Sequence, residues 1–512
     1  MDVRTLMRRA AQFYSQRPAV SHGDRTLTFA EAWDRGVRLA NGLGGLGLSP
    51  GDRVASLEDN VLEAQDFFAG TAAGGFVRVP LYARDSRAAY LHNLTHTGCR
   101  ALVVDPRYVE DVAGLVDEVP TLEHVIIRDE SYEGWLAGQS SVDPDPAIDP
   151  DDWYIIRHTG GTTGHAKGVA NSHRSWLAAG RDWTYALPPI AVGDSCLHAG
   201  PISHGSGYLY LPMWLQGACN VMLGEVDIHR ALDLIEERPI NYMFAVPTLV
   251  NALATHESAG GRNYDGLKTI LVAGAPISDA TALAARDVFG PVLYQLYGQT
   301  EALPATFMGP NDWFAEVEGS SPLRSAGRPL PFADLEIRDE FNRPVTVGVE
   351  GEIAIRCEGQ MIGYWGDEKR TAQRLVDGWV LTGDIGKLDE NGYLYVCDRK
   401  DDMIISGGFN IWPAELENVI ASHPDVIEVA VFGVPHERWG ESPVAVCVVD
   451  EHATITEEEI VDRCREALGS YKKPTQVFFQ HDPLPKSPVG KLQRKALRDP
   501  YWADQERQIR GA

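Results

Sequence analysis

Residues 24–60 read DRTLTFAEAWDRGVRLANGLGGLGLSPGDRVASLEDN, and this stretch decides the fold class. Trp33, Val37 and Leu43 recur at helical spacing, and a Pro-Gly-Asp turn at 50–52 separates them from a second apolar run. The stretch therefore predicts a strand, a helix and a strand in succession. Similar strand and helix patterns alternate to about residue 300, which is typical of parallel sheets covered by helices.

The pattern changes in the last third of the chain. Short strands and tight turns follow from about residue 322 to residue 397, and an Asn-Gly pair at 391–392 between two apolar runs is a strong hairpin signal. A helix near Pro413, two long apolar strands and a helix over residues 456–468 then predict a compact α+β unit. We expect a domain boundary between the two patterns, near residues 397–401.

Composition limits the function classes. A chain of 512 residues is longer than one hydrophobic core usually serves, so two or three structural units are expected. The net charge of −26 argues against nucleic-acid or anionic-membrane partners, because such surfaces need a basic field. The seven cysteines show no CxxC or zinc spacing, so a reducing cytoplasm is the simplest expectation. No apolar stretch is long enough to predict membrane insertion.

Segment 159–168, TGGTTGHAKG, has the composition of a phosphate-binding loop. Its four glycines permit a tight backbone path around an oxyanion, its three threonines donate hydrogen bonds, and its lysine adds charge. The spacing fits neither a Walker A loop nor a protein kinase loop. By composition alone, a flexible surface loop is the alternative. The candidate phosphate-binding residues are Thr159, Gly160, Gly161, Thr162, Thr163, Gly164 and Lys167.

This segment resembles the phosphate-binding signature of the adenylate-forming superfamily, which contains acyl-CoA synthetases, firefly luciferase and the adenylation domains of peptide synthetases. Gly160 stands at a variable position of that signature, and Ala166 stands where proline is usual. The resemblance covers nearly the full chain and is strongest to acyl-CoA and aryl-CoA ligases. It implies sites for ATP, Mg²⁺ and coenzyme A.

Two further segments resemble nucleotide and acyl-pocket motifs of this superfamily. In YQLYGQTE, residues 294–301, Tyr297 offers a flat face for adenine, Thr300 a hydroxyl for phosphate, and Glu301 a carboxylate for Mg²⁺. Without the resemblance, an aromatic residue beside a strand is more often part of the core. Further candidates for the adenine and acyl pockets are Gly298 and, in LVAGAPIS, Ala273, Gly274, Ala275 and Pro276.

The longest similar run spans residues 381–417. Asp384 can accept both ribose hydroxyls and Arg399 can donate to the same sugar, although such a pair could equally be a surface salt bridge. The resemblance places a hinge at Asp401 and a pantetheine passage at Gly407 and Gly408. Trp439 is a candidate for stacking on the CoA adenine, with simple packing as the alternative.

The segment PKSPVGKLQRKALR, residues 485–498, contains Lys491 where the superfamily has its adenylation lysine. Its ammonium can bridge the attacking carboxylate and the α-phosphate. Without the resemblance, the segment would be interpreted as a solvated basic tail.

The acyl pocket is expected around GPISHGSGYLYLPMW, residues 200–214. His204 matches a pocket histidine of acyl-CoA and aryl-CoA ligases, although a structural histidine is equally compatible with the sequence. Apolar walls are expected from Tyr208, Tyr210, Trp214 and Leu303. No aspartate lies between Leu197 and Leu223 to hold a substrate ammonium, so an α-amino acid is disfavoured.

The resemblance implies an α/β plus α+β fold. A large N-terminal adenylation domain of helix-covered sheets with a small distorted barrel would span residues 1–398. A small mobile α+β lid would span residues 399–512 and pivot near Asp401 between two steps of the reaction.

The implied activity is that of an AMP-forming acid–thiol ligase. A bulky, aromatic, alicyclic or medium-chain carboxylic acid would be converted to its acyl-AMP and then to its acyl-CoA. Three alternatives remain at this stage: transfer to a carrier protein, catalysis of the thioester-forming half-reaction alone, and a non-catalytic protein that binds nucleotide or acid. The sequence leaves open whether the chain forms a homo-oligomer.

Overall fold

The structure is a computed structural model that describes residues 1–83, 85–159, 166–399, 402–407, 409–486 and 492–503. Its α-helices are α1 (Val3–Phe13), α2 (Phe29–Gly45), α3 (Ala64–Gly74), α4 (Arg87–Thr97), α5 (Leu115–Glu118), α6 (Tyr132–Ala137), α7 (His173–Tyr185), α8 (Gly207–Leu215), α9 (Ile228–Glu237), α10 (Pro247–Thr255), α11 (Asp279–Phe289), α12 (Pro310–Trp313), α13 (Glu368–Arg374), α14 (Pro413–Ala421), α15 (Glu457–Leu468) and α16 (Arg494–Arg498).

The N-terminal domain contains two large sheets. The nine-stranded sheet has the order β15-β14-β13-β12-β11-β9-β10-β1-β2. Its strands are β1 (Pro18–His22), β2 (Arg25–Thr28), β9 (Ser195–His198), β10 (Cys219–Met222), β11 (Ile240–Ala245), β12 (Thr269–Val272), β13 (Leu293–Gln299), β14 (Ala302–Met308) and β15 (Arg328–Pro329). Its central strands pair in parallel, and β2, β14 and β15 pair antiparallel.

The seven-stranded sheet has the order β18-β8-β7-β4-β3-β5-β6. Its strands are β3 (Arg53–Leu57), β4 (Val77–Leu81), β5 (Ala101–Val104), β6 (His124–Ile127), β7 (Trp153–Thr159), β8 (Lys167–Ser172) and β18 (Gly363–Tyr364). Strands β3 to β7 pair in parallel, whereas β7 with β8 forms an antiparallel hairpin.

Two smaller sheets follow. An antiparallel sheet that curls into a half-barrel is formed by β16 (Ala333–Arg338), β17 (Gly351–Cys357), β19 (Leu375–Val376), β20 (Trp379–Leu388) and β21 (Leu394–Arg399). The small C-terminal domain contains β22 (Ile404–Ser406), β23 (Phe409–Ile411), β24 (Val426–His436), β25 (Gly440–Val449) and β26 (Gln476–Gln480), packed against α14 and α15.

The architecture confirms the fold class expected from the sequence. The first quoted stretch forms β2, α2 and β3, and the Asn-Gly pair lies in the turn between β20 and β21, where Gly392 has a φ of 79°. Helix α15 has Thr456 as its N-cap with a reciprocal capping box to Glu459, and Ile460 and Cys464 face the C-terminal core. The division at residue 398 stays a prediction. No helix among the described residues has the length and apolar character needed to cross a membrane.

Three sheets meet at the carboxyl ends of β7 and β13. Gln299, at the end of β13, donates to the Thr382 carbonyl of the half-barrel at 2.9 Å. The backbone N–H of Met361 donates to the Glu301 carbonyl at 2.8 Å, and β18 then pairs with β8 of the seven-stranded sheet. The carboxyl end of β13 is therefore held against the half-barrel, and the segment that follows Met361 connects it to β8 through β18.

Helices α2 and α3 pack closely through Gly36, and we expect Gly36→Ala to lower the free energy of unfolding by about 1–3 kcal/mol. A Cβ at Gly36 would lie 2.3 Å from the Cβ of Ala69. Gly44→Ala on the same helix is the control, because no atom of the described residues lies within 4 Å of its added Cβ; we expect it to raise stability by about 0.5–1 kcal/mol. Urea unfolding followed by circular dichroism measures both. Equal effects of the two substitutions would contradict this packing.

His198 is expected to make the fold sensitive to acid. Its Nδ1 contacts the Ser206 hydroxyl at 2.7 Å and its Nε2 contacts the Asn220 carbonyl oxygen at 2.8 Å, and burial lowers its pKa from 6.5 to about 4. Between these values the unfolded chain holds a proton that the folded chain does not. His198 should therefore reduce the free energy of unfolding by about 1.4 kcal/mol for each pH unit of acidification in that range.

The measurement is the slope of unfolding free energy against pH for the wild type, His198→Asn and the control His229→Asn. Since the His229 side chain is 58% exposed, only His198→Asn should flatten the slope. An unchanged slope in His198→Asn would show that this histidine is not the source of the acid sensitivity.

Candidate active site

The two ends of the glycine-rich segment are fixed by the β7–β8 hairpin. Thr159 and Lys167 are register partners, and the Ala166 carbonyl contacts Nε2 of His92 on α4 at 2.9 Å. The predicted phosphate-binding residues between them, Gly160, Gly161, Thr162, Thr163 and Gly164, lie outside the described residues. The hairpin therefore positions Thr159 and Lys167, and the roles of the residues between them stay predictions.

The predicted nucleotide residues Tyr297, Asp384 and Arg399 are in direct contact. The Tyr297 hydroxyl donates to Asp384 Oδ2 at 2.6 Å, and Arg399 Nε pairs with Asp384 Oδ1 at 2.6 Å. Gln299 Nε2 also donates to Asp384 Oδ2 at 2.6 Å. Burial and the Asp384 carboxylate raise the pKa of Tyr297, so its phenol stays a neutral donor. These three donors leave about one acceptor site of the carboxylate for a ligand.

Gln299 was not among the predicted residues. It lies two positions after Tyr297 on β13, but the pairing of β13 with β14 shifts register between these two residues, so regular strand alternation does not predict their shared face. Its place inside the YQLYGQTE segment is the sequence signal that could have identified it.

Glu301 lies beside a tyrosine that the sequence analysis missed. The Tyr364 hydroxyl donates to Glu301 Oε1 at 2.9 Å, and Lys167 Nζ lies 5.5 Å from the centre of the Tyr364 ring. Burial and the charge of Glu301 raise the pKa of Tyr364, so it remains a proton donor. Tyr364 thereby connects the phosphate segment to the predicted metal ligand. No periodic signal marks it, because β18 joins this site only through its pairing with β8.

The Glu301 carboxylate fits the expected magnesium chemistry. Among the described residues, no group of three or more carboxylate, imidazole or thiol side chains is arranged to hold a metal ion. Mg²⁺ in nucleotide enzymes is commonly held by one or two carboxylates together with substrate phosphates and water. A single protein carboxylate at Glu301, next to Thr300, is compatible with that mode.

His204 has a defined hydrogen-bond partner. Its Nδ1 lies 3.0 Å from the hydroxyl of Tyr82, and that hydroxyl donates to the His158 carbonyl at 2.7 Å. Burial raises the pKa of Tyr82, so its single proton remains available for the carbonyl. The Tyr82 oxygen must then accept from His204 Nδ1–H, which assigns the tautomer of a neutral His204 ring.

The predicted acyl residues Tyr208, Ala273 and Leu303 belong to one buried apolar cluster. Tyr208 stacks on Trp183 with ring centres 4.6 Å apart. Gly274 has a φ of 93°, a backbone conformation that favours glycine. Ala275 and Pro276 follow it in the loop between β12 and α11, and their adenine contact stays a prediction.

One expected pocket wall, Trp214, packs against the N-terminal helices, and its role in the pocket stays a prediction. The indole N–H of Trp214 donates to the Met7 carbonyl at 3.0 Å, and its ring packs edge-on against Phe29. Trp214 therefore anchors α8 to α1 and α2. At Gly298 an added Cβ would lie 2.8 Å from the Cβ of Leu303, so this glycine allows β13 and the following strand to approach closely.

The predicted CoA-binding residues lie on the C-terminal domain. The Gly407 N–H donates to the Trp439 carbonyl at 2.9 Å, and the Trp439 ring is 42% exposed and stacks on His436 at 4.4 Å. Gly408, the hinge residue Asp401 and Lys491 lie outside the described residues. Their predicted roles are therefore untested.

Comparisons with known proteins agree with this geometry. The family model described as AMP-binding enzyme matches residues 7–365, and the model described as AMP-binding enzyme C-terminal domain matches residues 415–491. The chain belongs to the AMP-binding enzyme family. It is an adenylate-forming enzyme of the group that contains acyl-CoA and aryl-CoA ligases.

Individual relatives span almost the whole chain. The chain is 33% identical to fatty acid–[acyl-carrier-protein] ligase ScoC of Streptomyces coeruleorubidus, covering 98% of this chain and 96% of the relative. It is 34% identical to feruloyl-CoA synthase of an Amycolatopsis species, covering 96% and 97%. The amide bond synthetase McbA of Marinactinospora thermotolerans is a structural neighbour with a TM-score of 0.88, 28% identity and coverage of 98% and 100%.

We expect Tyr364→Phe to weaken the binding of MgATP by about 10- to 100-fold, because it removes a hydrogen bond to a charged carboxylate. The ring that faces Lys167 is retained. Isothermal titration with MgATP and with ATP in chelator measures the effect, which should be confined to the magnesium complex. Tyr185→Phe is the control, because that side chain is 56% exposed and lies against Phe332. Equal losses with and without magnesium would contradict a role beside the metal ligand.

Proposed function

We propose that this protein uses ATP to convert a carboxylic acid into its acyl-AMP and then transfers the acyl group to coenzyme A. The observation that carries the proposal is the direct contact of Tyr297, Asp384 and Arg399. These residues come from two sheets, and a ribose beside the Asp384–Arg399 pair would meet the one remaining acceptor site of Asp384 and a donor of Arg399. The family membership of the chain supports the same chemistry.

In the first step, an oxygen of the substrate carboxylate attacks the α-phosphorus of ATP, and the bond to pyrophosphate breaks. Lys167 and, by resemblance, Lys491 would balance negative charge at the phosphates, so that catalysis is positioning plus electrostatics. Glu301 would hold Mg²⁺, which supplies neutralisation of phosphate charge when bound. Thr300 would donate its hydroxyl to phosphate.

In the second step, the sulfur of coenzyme A attacks the acyl carbon, the bond to the AMP oxygen breaks, and the thiol proton is released. We infer that the pantetheine passes Gly407 and Gly408. Trp439 would use its exposed face for the adenine, because its other face is covered by His436.

Domain alternation follows from the placement of these residues. Lys491 and Gly407 both follow Asp401 in the chain but would act in different steps, so the small domain must turn about the hinge. Two contacts support a rigid lid: Arg498 lies 3.2 Å from Asp402, just beyond the hinge, and Arg494 Nε lies 2.9 Å from Glu417. Arg494 and Arg498, which follow Lys491 in the chain, would therefore move together with the lid.

The acid is inferred to be bulky, aromatic, alicyclic or medium-chain. Tyr208, Trp183 and Trp176 form a stacked aromatic wall, and flat or apolar acids bury well against such rings. His204, four residues before Tyr208 in the chain, would also face the acid. Carrier-protein transfer is the second candidate, because the relative ScoC is named as a ligase that uses an acyl-carrier protein.

The test is to incubate the protein with ATP, Mg²⁺ and a panel of carboxylic acids, with coenzyme A, a carrier protein, an amine or no acceptor. Mass spectrometry follows AMP, pyrophosphate and the acyl product. We expect acid-dependent pyrophosphate and an acyl-CoA. An acyl-protein product would show that a carrier protein, rather than coenzyme A, is the acceptor. An amide product would show that an amine is the acceptor. Thioester formation only from supplied acyl-AMP would restrict the enzyme to the second half-reaction.

Lys491→Ala should reduce acid-dependent pyrophosphate release by about 100-fold or more while thioester formation from synthetic acyl-AMP continues. Lys495→Ala is the matched control, because this lysine lies in the same basic segment and pairs with Asp499 at the surface. Equal losses in the two variants would indicate a basic surface segment rather than an adenylation lysine.

A further inference from the structure

A small cavity lies beside His204 in the N-terminal domain. Its volume is about 10 Å³, room for about one water molecule. Of the described residues that line it, Arg78, Arg157 and His204 carry ionisable side chains and none carries a carboxylate. The cavity is therefore electropositive inside a chain whose net charge is −26.

Arg157 is a buried cation without an anionic partner among the described residues. It is 2% exposed, and its Nε and Nη2 have no hydrogen-bond partner there. The guanidinium carbon lies 4.0 Å from the centre of the Tyr208 ring and 4.6 Å from that of Trp176. These stacking contacts orient the planar group but leave its Nε and Nη2 without acceptors among the described residues.

Arg78 lies on the same face of the sheet. It is also 2% exposed, its guanidinium carbon lies 3.6 Å from the centre of the Phe68 ring, and its Nε has no hydrogen-bond partner in the described chain. Arg78 of β4 is the register partner of Ile155 of β7, which precedes Arg157 by two residues. Because residues two apart share a face, both guanidinium groups are directed into one cavity.

Burying an unpaired cation is costly, and cation–π contacts offset only part of that cost. Arg157 is such a cation, whereas Arg78 interacts with the buried Glu58 carboxylate and leaves only its Nε without an acceptor. The free Nε and Nη2 of Arg157, with the charge of Arg78 beside them, imply a ligand that supplies the missing acceptors. Arg is suited to a carboxylate, because the planar fork donates two parallel hydrogen bonds.

We propose that Arg157, with Arg78 behind it, binds a second carboxylate of the acid substrate, so that the enzyme activates a dicarboxylic acid. This inference rests on the proposed function. The carboxylate to be adenylated would remain near Thr300, and the distal carboxylate would reach the cavity that His204 and Trp176 line. Arg157 is thus assigned as a specificity-determining residue.

The test compares acids that differ only in the charge of the distal group. The substrates are α,ω-dicarboxylic acids of increasing length and terephthalic acid. Each diacid is compared with its own monomethyl ester by measuring acid-dependent pyrophosphate release. We expect kcat/KM for the preferred diacid to exceed that for its ester by about 10- to 100-fold. Arg157→Met should abolish this preference, and Arg157→Lys should retain part of it.

Arg181→Met is the matched control. Arg181 lies on α7 with its guanidinium carbon 4.7 Å from the centre of the Phe332 ring, but it is half exposed and paired with Asp182 and Glu358. This variant should keep the wild-type preference. Should Arg157→Met fail to fold, the diacid and ester pairs on the wild-type enzyme still decide the question.

Wild-type turnover of the ester equal to or faster than that of every diacid would overturn the inference and leave the proposed function intact. Absence of pyrophosphate with every acid would overturn the proposed function instead. In that case, calorimetric titration of the same diacids and esters into wild-type protein measures their binding affinity independently of catalysis. Tighter binding of a diacid would support the anion site, and equal binding would overturn it.

Discussion

The carboxylate of Asp384 is the contact on which the arrangement of the site depends. It takes hydrogen bonds from Tyr297 and Gln299 of the nine-stranded sheet and pairs with Arg399 of the half-barrel. A buried carboxylate without donors is strongly unfavourable, so these partners constrain the two sheets to one relative position. Loss of the carboxylate would leave the Tyr297 hydroxyl without this acceptor, at a cost of about 1–3 kcal/mol, whereas Gln299 keeps its bond to the Thr382 carbonyl and the half-exposed Arg399 can be solvated.

The same logic extends to the residues around it. Tyr364 donates to Glu301 and faces Lys167, so one phenol connects the metal ligand, the phosphate segment and the strand that closes the seven-stranded sheet. Tyr82 holds the His204 ring in one tautomer through the His158 carbonyl. Charged and polar groups of the site are thus oriented before any ligand arrives, which is the source of electrostatic preorganisation in enzymes.

Arg157 departs from this pattern, because the free-energy cost of burying its charge is not offset by an anionic partner among the described residues. Removing a cation from water costs several kcal/mol after relaxation, and stacking on Tyr208 returns about 2 kcal/mol. Residues that violate the local rules of stability are often retained for function. The sequence signal was present, since Arg157 interrupts the apolar strand WYIIRH, although a single charge in a strand does not reveal what it faces.

The sequence by itself determined the alternation of strands and helices, the hairpin at Asn391, the capped helix at Thr456 and the identity of the nucleotide motifs. These features depend on residues close in the chain, where periodicity, turn chemistry and short motifs act locally. Only the tertiary structure decided that Trp214 packs against α1, that Tyr82 contacts His204, and that Tyr364 reaches Glu301. Such contacts join segments far apart in the chain, and which partners meet depends on how the sheets pack, for which single-sequence spacing carries no signal.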